Sequence, residues 1–164
     1  MPIHDQMATR DRPWSGCARI DDMSTASAVA IAVVFVWLGM VLAISFLEAP
    51  LKFRAPNVTL AIGLGIGRIV FRALNIVETC WAGILVASLI LGLPGAAAGS
   101  AVLVAVIALA AQVIAVRPRL ARRSDAVLAG LDAPRSLGHY VYIALEVVKT
   151  IALLVAGIAL LISA

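Results

Sequence analysis

The most constraining feature of this sequence is an apolar run of about 22 residues, from Ala26 to Leu47, without a charged side chain. A helix of that length crosses the ~30 Å hydrocarbon core of a bilayer, because each residue adds about 1.5 Å. Three more long apolar stretches follow, separated by short segments that contain Pro, Gly or Arg. The pattern predicts an all-α fold, a four-transmembrane-helix bundle with interfacial amphipathic segments.

The composition supports the membrane class. Apolar residues make up 63% of the chain and charged residues 13%, whereas soluble domains have about 45–50% and about 25%. A sequence pI of about 9.7 raises the question of nucleic acid. The basic residues flank apolar runs, however, and no zinc-finger spacing or basic heptad region is present. We therefore expect the lipid bilayer as a partner and no nucleic acid.

The chain divides into a polar tail and one membrane domain. Residues 1–23 form the tail, which we expect to be disordered, and Met23-Ser24-Thr25 resembles a natural start, so the first 22 residues are interpreted as an upstream extension. Within residues 24–164, the spans are predicted at about 26–48, 72–93, 100–116 and 139–162.

The segments that flank the spans carry the irregular features. Pro50 is expected to kink or end the first helix near Glu48. Residues 60–74 are predicted to lie at the interface before the second span. The arginine-rich segment from Arg117 to Leu131 is predicted to form a separate amphipathic helix with its arginines at the headgroups.

The basic residues predict the orientation. One side of the membrane receives Lys52, Arg54, Arg117, Arg119, Arg122, Arg123 and Arg135, while the other has only the arginines of the polar tail. Because the side richer in Lys and Arg faces the cytoplasm, both termini are predicted to lie outside. We expect a multi-pass protein of a bacterial cytoplasmic (inner) membrane.

Polar side chains recur at helical spacing in the second span. Arg68, Arg72, Asn75 and Thr79 are four, three and four residues apart, which places them on one narrow stripe. Glu78 lies roughly 80° away from that stripe. The spacing predicts that this stripe faces the interior of the bundle.

The fourth span has a comparable stripe. His139, Tyr142, Glu146 and Lys149 are three, four and three residues apart. Because charge that faces lipid is disfavoured, we expect the two stripes to meet in the cytoplasmic half. The candidate polar cluster comprises Glu48, Lys52, Arg68, Arg72, Asn75, Glu78, His139, Tyr142, Glu146 and Lys149.

Three interpretations of this cluster remain open. The first is a buried ion-pair network that fixes helix order and register, since paired buried charges are tolerable where isolated ones are not. The second is a polar cavity open to the cytoplasm that holds a proton, an ion or a small anionic solute. In the third, the stripes do not converge and some side chains reach outward to the surface.

The sequence contains no recognisable catalytic or cofactor motif. Cys17 and Cys80 form no C-x-x-C pair, and Cys80 is expected to be helix-packing material. His139 is the only histidine near a span, so one chain offers no bis-histidine haem ligation. No H-E-x-x-H, phosphate-binding loop or Ser/His/Asp set is present. We predict no catalytic, metal or cofactor-binding residues and no cofactor.

In layout the chain resembles a diffuse group of uncharacterised four-helix bacterial integral membrane proteins. Three features carry the resemblance: the turn Glu48-Ala49-Pro50-Leu51-Lys52-Phe53-Arg54, a long second helix with Arg68, Arg72, Asn75 and Glu78, and a last helix with His139-Tyr140-Val141-Tyr142, Glu146 and Lys149. The resemblance implies four spans and no particular activity, so it assigns no catalytic residue.

Three functions are compatible with these observations. The first is proton, ion or small-solute handling, in an oligomer because four short helices enclose little cavity. The second is a non-catalytic membrane subunit or assembly partner, whose small residues Gly83, Ala87, Gly92 and Gly157 serve docking. The third is an interfacial lipid or quinone enzyme that uses His139 or Glu48 as acid or base. A homo-oligomer or a partner membrane protein is therefore expected.

Overall fold

The structure, a computed structural model, describes residues 25–92, 95–129 and 137–163, and this part of the chain is helical with no strand. The first helix runs over Thr25–Arg54 and the second over Leu60–Ile90. The third consists of Ala96–Ala111, Gln112–Val116 and Arg117–Leu128, and the fourth is Leu137–Ser163. Each of the four is long and apolar enough to cross a membrane, so the predicted fold class is confirmed.

Pro50 was predicted to kink or end the first helix near Glu48, and the helix does not end there. Its α-helical part, Thr25–Val41, passes into a π-helical segment, Leu42–Glu48, and the helix then continues through Pro50 to Arg54. A π segment shifts the backbone bonds to the fifth residue, as in the bond from the Ala49 N–H to the Ile44 carbonyl. The altered register accommodates a proline that has no N–H to donate.

The third helix repeats this arrangement. The π segment Gln112–Val116 stands two residues before Pro118, and the helix continues as Arg117–Leu128. The arginine-rich helix therefore begins at Arg117, as predicted, but it continues the third helix instead of forming a separate one.

The second helix is uninterrupted, so no structural break marks the predicted division near residue 74. The Thr59 side chain caps it by accepting a hydrogen bond from the Ile62 N–H at 3.3 Å. A Cβ at Gly63 would overlap the Phe53 ring, and one at Gly67 would lie 2.9 Å from the Lys52 ammonium. These glycines let the end of the first helix lie against the start of the second.

The four helices bury one apolar core. The third and fourth helices share the most extensive contact, and the first helix packs on the fourth and the second. The core includes Val34, Leu85, Val102, Leu153 and Leu160, all with 0% of their surface exposed. Along each helix, these residues lie farther from the arginine-rich end of the bundle than the buried polar side chains do.

The predicted polar tail, the turn residues Leu93 and Pro94, and the loop with Pro134 and Arg135 lie outside the described residues.

Candidate functional site

Lys149 of the fourth helix is the centre of the buried polar side chains. Its side chain is 0% exposed, and its ammonium lies 2.5 Å from Glu78 Oε1 and 3.1 Å from Glu146 Oε2. It also donates a 3.0 Å hydrogen bond to Gln112 Oε1. An ammonium has three donors, so groups on the second, third and fourth helices surround this charge.

The first helix contributes through an indole. The Trp37 Nε1–H donates to Glu78 Oε1 at 2.9 Å, and both residues are fully buried. Glu78 Oε1 therefore meets two donors, one from the first helix and one from the fourth. We call Trp37, Glu78, Gln112, Glu146 and Lys149 the buried polar cluster, to which all four helices contribute.

Asn75 connects Glu78 to Arg117. The Asn75 amide is oriented so that its nitrogen faces an acceptor and its oxygen faces donors. The nitrogen donates to Glu78 Oε2 at 3.1 Å. The oxygen then accepts from Arg117 Nη1 at 2.6 Å and Nε at 3.0 Å. The carboxylates of Glu78 and Glu146 are thus matched by the charges of Lys149 and Arg117, which makes their burial tolerable.

Glu146 lies between the cluster and the cavity. Its side chain is 2% exposed, and its carboxylate contacts the Lys149 ammonium at 3.1 Å and the Tyr142 hydroxyl. The Ser45 hydroxyl nearby is buried and has no hydrogen-bond partner among the described residues. All three groups line the same cavity.

The cavity has a volume of about 570 Å³ and lies between the helix ends that carry most of the arginines. Along the fourth helix it extends from His139 to Glu146, seven residues or about 10 Å. His139 is therefore at its mouth and Glu146 at its floor. Its basic lining residues are Lys52, Arg68, Arg117, Arg123 and His139, and much of the remaining wall is apolar.

The structure brings most of the predicted site residues to one end of the bundle. Asn75, Glu78, Tyr142, Glu146 and Lys149 are buried together. Lys52, Arg68 and His139 line the cavity above them, and Glu48 lies beside Lys52 at 3.5 Å.

The predicted stripe of the second helix is only partly buried, however. Asn75 faces the interior with Leu74 and Glu78, whereas Arg68, Arg72 and Thr79 are exposed. Arg68 forms its ion pair with Asp125 of the third helix at the surface. The packing of Gly63, Gly67, Leu74 and Leu85 against the other helices sets this rotation, and long arginine side chains can extend outward.

Three residues of this site are not among the candidates predicted from the sequence. Trp37 and Gln112 carry no charge, and Arg117 is predicted at the headgroups. Gln112 offered a signal, since it is the only amide side chain within an otherwise apolar run. No sequence signal pointed to Arg117. In a regular α-helix, Gln112 and Arg117 are five residues apart and would lie ~140° from each other around the axis. The π segment Gln112–Val116, whose backbone bonds join residues five apart, changes that angle.

No protein family, curated protein or solved structure matches this chain.

Proposed function

We propose that the chain is a multi-pass protein of a bacterial cytoplasmic membrane that handles protons or a small solute through the cavity and the buried polar cluster. The observation that carries the proposal is the state of Glu146. Its side chain is 2% exposed, lies at the floor of a cavity of about 570 Å³, and shares the buried Lys149 ammonium with Glu78. Ionisable groups in such a position are expensive and are characteristic of ion and solute pathways.

The distribution of basic residues supports the orientation. The helix ends around the cavity hold Lys52, Arg54, Arg68, Arg72 and the four arginines of residues 117–123, whereas the described residues at the opposite ends of the helices carry no charged side chain. Since the basic side faces the cytoplasm, the cavity opens to the cytoplasm and both termini lie outside.

The contacts of Lys149 support a role for Glu146 as proton acceptor. Lys149 lies 2.5 Å from Glu78 and 3.1 Å from Glu146, so it holds two carboxylates at once. When Glu146 accepts a proton, Lys149 keeps Glu78 as its charge partner, so the buried ammonium is not left unpaired. A site that takes up and releases a proton requires such a second partner.

The apolar core supports access from one side. From the cluster towards the opposite end, the helices place Val34, Leu85, Val102 and Leu153, each 0% exposed, in contact with one another. Ions do not cross such a layer without rearrangement. Transport would therefore need the helices to separate there, while uptake from the cytoplasmic side needs no change.

Proton flux into liposomes tests the proposal. The purified full-length chain is reconstituted with a pH-sensitive dye inside, and a potassium gradient with valinomycin supplies the driving force. We expect flux for the native chain and its loss in Glu146→Gln and in Glu78→Gln, with assembly unchanged. Asp125→Asn is the matched control, because that carboxylate is exposed and outside the cluster. If the native chain passes no proton, cation or small anion, the proposal is wrong.

A second candidate function, a membrane subunit or homo-oligomer, has its own support. Cys80, Gly83 and Ala87 are exposed and share one face of the second helix, and no atom lies within 4 Å of a Cβ built on Gly83. Small residues of this kind let membrane helices approach closely. Gly157 does not belong to this face, because it packs inside the bundle against Phe35.

Oxidative cross-linking through Cys80 tests this second function. In a Cys17→Ser background, a homo-oligomer joined at this face yields a covalent dimer in native membranes. Cys80→Ser should abolish it, and a protein that stays monomeric and purifies alone from mild detergent would contradict the candidate.

The third candidate, an interfacial enzyme, has no comparable support among the described residues. Its two predicted acid or base residues do not lie in a common hydrogen bond: Glu48 pairs with Lys52 at 3.5 Å, and His139 lies at the cavity mouth.

A further inference from the structure

The lining of the cavity combines basic side chains with an apolar wall. The first three helices contribute Lys52, Arg68, Arg117 and Arg123 to it. The described residues as a whole carry nine basic and four acidic side chains, an excess of five positive charges. Because low-dielectric walls focus the field of charges of one sign, the cavity favours an anion over a cation.

Glu146 is the only acidic side chain among the described residues that line the cavity. Its carboxylate contacts the Lys149 ammonium at 3.1 Å and the Tyr142 hydroxyl, and both of its oxygens are closed off from the cavity. Lys149 is fully buried behind the lining and matches this negative charge from inside the bundle. A bound anion therefore meets no open carboxylate in the described part of the lining, and a bound cation finds no acceptor there.

Lys52 is the basic side chain best placed to anchor an anion. It is 9% exposed, and its ammonium lies 5.2 Å from the ring centre of Phe71 and 5.7 Å from that of Phe53. Its one hydrogen bond among the described residues is to Glu48 at 3.5 Å. Since an ammonium has three donors, Lys52 retains donors for the oxygens of a phosphate or a carboxylate.

The apolar wall is open between the first and fourth helices. These helices pack together along Thr25–Val41 of the first, and the cavity lies beyond that contact, beside the π segment Leu42–Glu48. Phe46 and Ile143 line the cavity from the two helices and remain 41% and 42% exposed. An acyl chain in the cavity therefore has a path to the lipid around the bundle.

We propose that the cavity binds an anionic amphiphile, with its phosphate or carboxylate at Lys52 and its acyl chain along the apolar wall. Basic pockets between membrane helices on the cytoplasmic side suit anionic headgroups, and a volume of about 570 Å³ lies in the range of small-molecule sites. Two sources share this chemistry, an anionic phospholipid and a free long-chain fatty acid. The inference rests on the proposed function, because it names the class of solute that the cavity handles.

Lipid titration followed by native mass spectrometry tests the proposal on the detergent-purified full-length chain. Phosphatidylglycerol and phosphatidylcholine are compared with identical acyl chains. Both have the phosphate, but the choline cation of the second would face the basic lining. We expect phosphatidylglycerol to bind at least about tenfold more tightly, the ratio expected for one hydrogen bond to a charged group.

Two variants that each remove one positive charge separate the cavity from the protein surface. Lys52→Met removes the anchor and should reduce the preference to less than about threefold. Arg119→Gln is the matched control, since this exposed arginine does not line the cavity, and it should preserve the preference. Equal effects of the two variants would overturn the inference, because general attraction of anionic lipid to a basic surface predicts them.

Ile143→Trp tests the path of the acyl chain without a change in charge. The larger side chain narrows the opening between the first and fourth helices, so phosphatidylglycerol should bind at least about fivefold more weakly. Val147→Trp is its control, because Val147 is exposed one turn further along the same helix and does not line the cavity. If Lys52→Met fails to fold, this pair decides the matter, and equal binding by both tryptophan variants would overturn the inference.

Palmitate and hexadecanol form the second arm, since they share a chain and differ in charge. Palmitate that binds about tenfold more tightly than hexadecanol, while the two phospholipids bind alike, assigns the site to a free fatty acid and supports the shared chemistry. No preference in either arm would overturn the inference. Proton flux without either preference would leave the proposed function standing, and a preference without flux would leave only the binding site.

Discussion

Replacing Lys149 by methionine removes the cation of the buried polar cluster while keeping a side chain of similar length. The variant loses contacts with Glu78 at 2.5 Å, Glu146 at 3.1 Å and Gln112 at 3.0 Å. Both carboxylates remain at 0% and 2% exposure without the cation. Removing one partner of a buried pair costs about 3–5 kcal/mol, because the other charge stays uncompensated. We expect a loss of that size in the free energy of unfolding.

Trp37 offers an internal probe for the measurement. Its indole donates to Glu78 at 2.9 Å and is fully buried, so its fluorescence should report the loss of this packing. The chain is unfolded with SDS in mixed micelles, in a background with Trp14→Phe and Trp81→Phe. The free energy is then extrapolated linearly to zero SDS.

The double variant Lys149→Met with Glu146→Gln separates charge from packing. It restores the native balance, since Glu78 then faces Asn75 and, through it, Arg117. We expect it to be about 1–3 kcal/mol more stable than Lys149→Met alone. A double variant that is no more stable than the single one would refute the electrostatic reasoning, as would a single variant within about 0.5 kcal/mol of the native chain.

Two further predictions concern packing and the neutral amide of the cluster. Gly63→Ala should displace the Phe53 ring and lower the free energy of unfolding by about 1–3 kcal/mol. Gly65→Ala, with nothing within 4 Å of its Cβ, should be neutral or stabilise the fold by up to about 1 kcal/mol. SDS unfolding of the two variants side by side measures the difference, and equal effects would contradict this prediction. Gln112→Leu should lower the free energy of unfolding by about 1–3 kcal/mol, because one donor of Lys149 is left unsatisfied. Gln112→Glu places a third carboxylate beside Lys149. This variant should unfold more readily as the pH rises and that carboxyl group ionises.

The predicted stripe of the second helix shows where a sequence pattern is insufficient. Periodicity places Arg68, Arg72, Asn75 and Thr79 on one face, but only Asn75 of these is buried. Helical spacing does not determine how the helix is rotated toward its neighbours. Glu78, about 80° away, is the residue that Lys149 contacts, at 2.5 Å.

In the fourth helix the predicted stripe is His139, Tyr142, Glu146 and Lys149. The last three are buried, whereas His139 is exposed at the cavity mouth. The i, i+3 spacing of Glu146 and Lys149 is a local property of an α-helix, so it could be derived without knowledge of the other helices.

The sequence by itself determined the all-α class, the number of helices long enough to cross a membrane, and the charged end of the bundle. These depend on apolar length and on charge position along the chain, which are local properties. The tertiary structure alone decided that Trp37 and Gln112 join Glu78 and Lys149, and that both helices with π segments continue past their prolines. Helix rotation depends on which side chains of other helices fit against it, and a π segment changes the angle between residues, so neither follows from α-helical spacing along one chain.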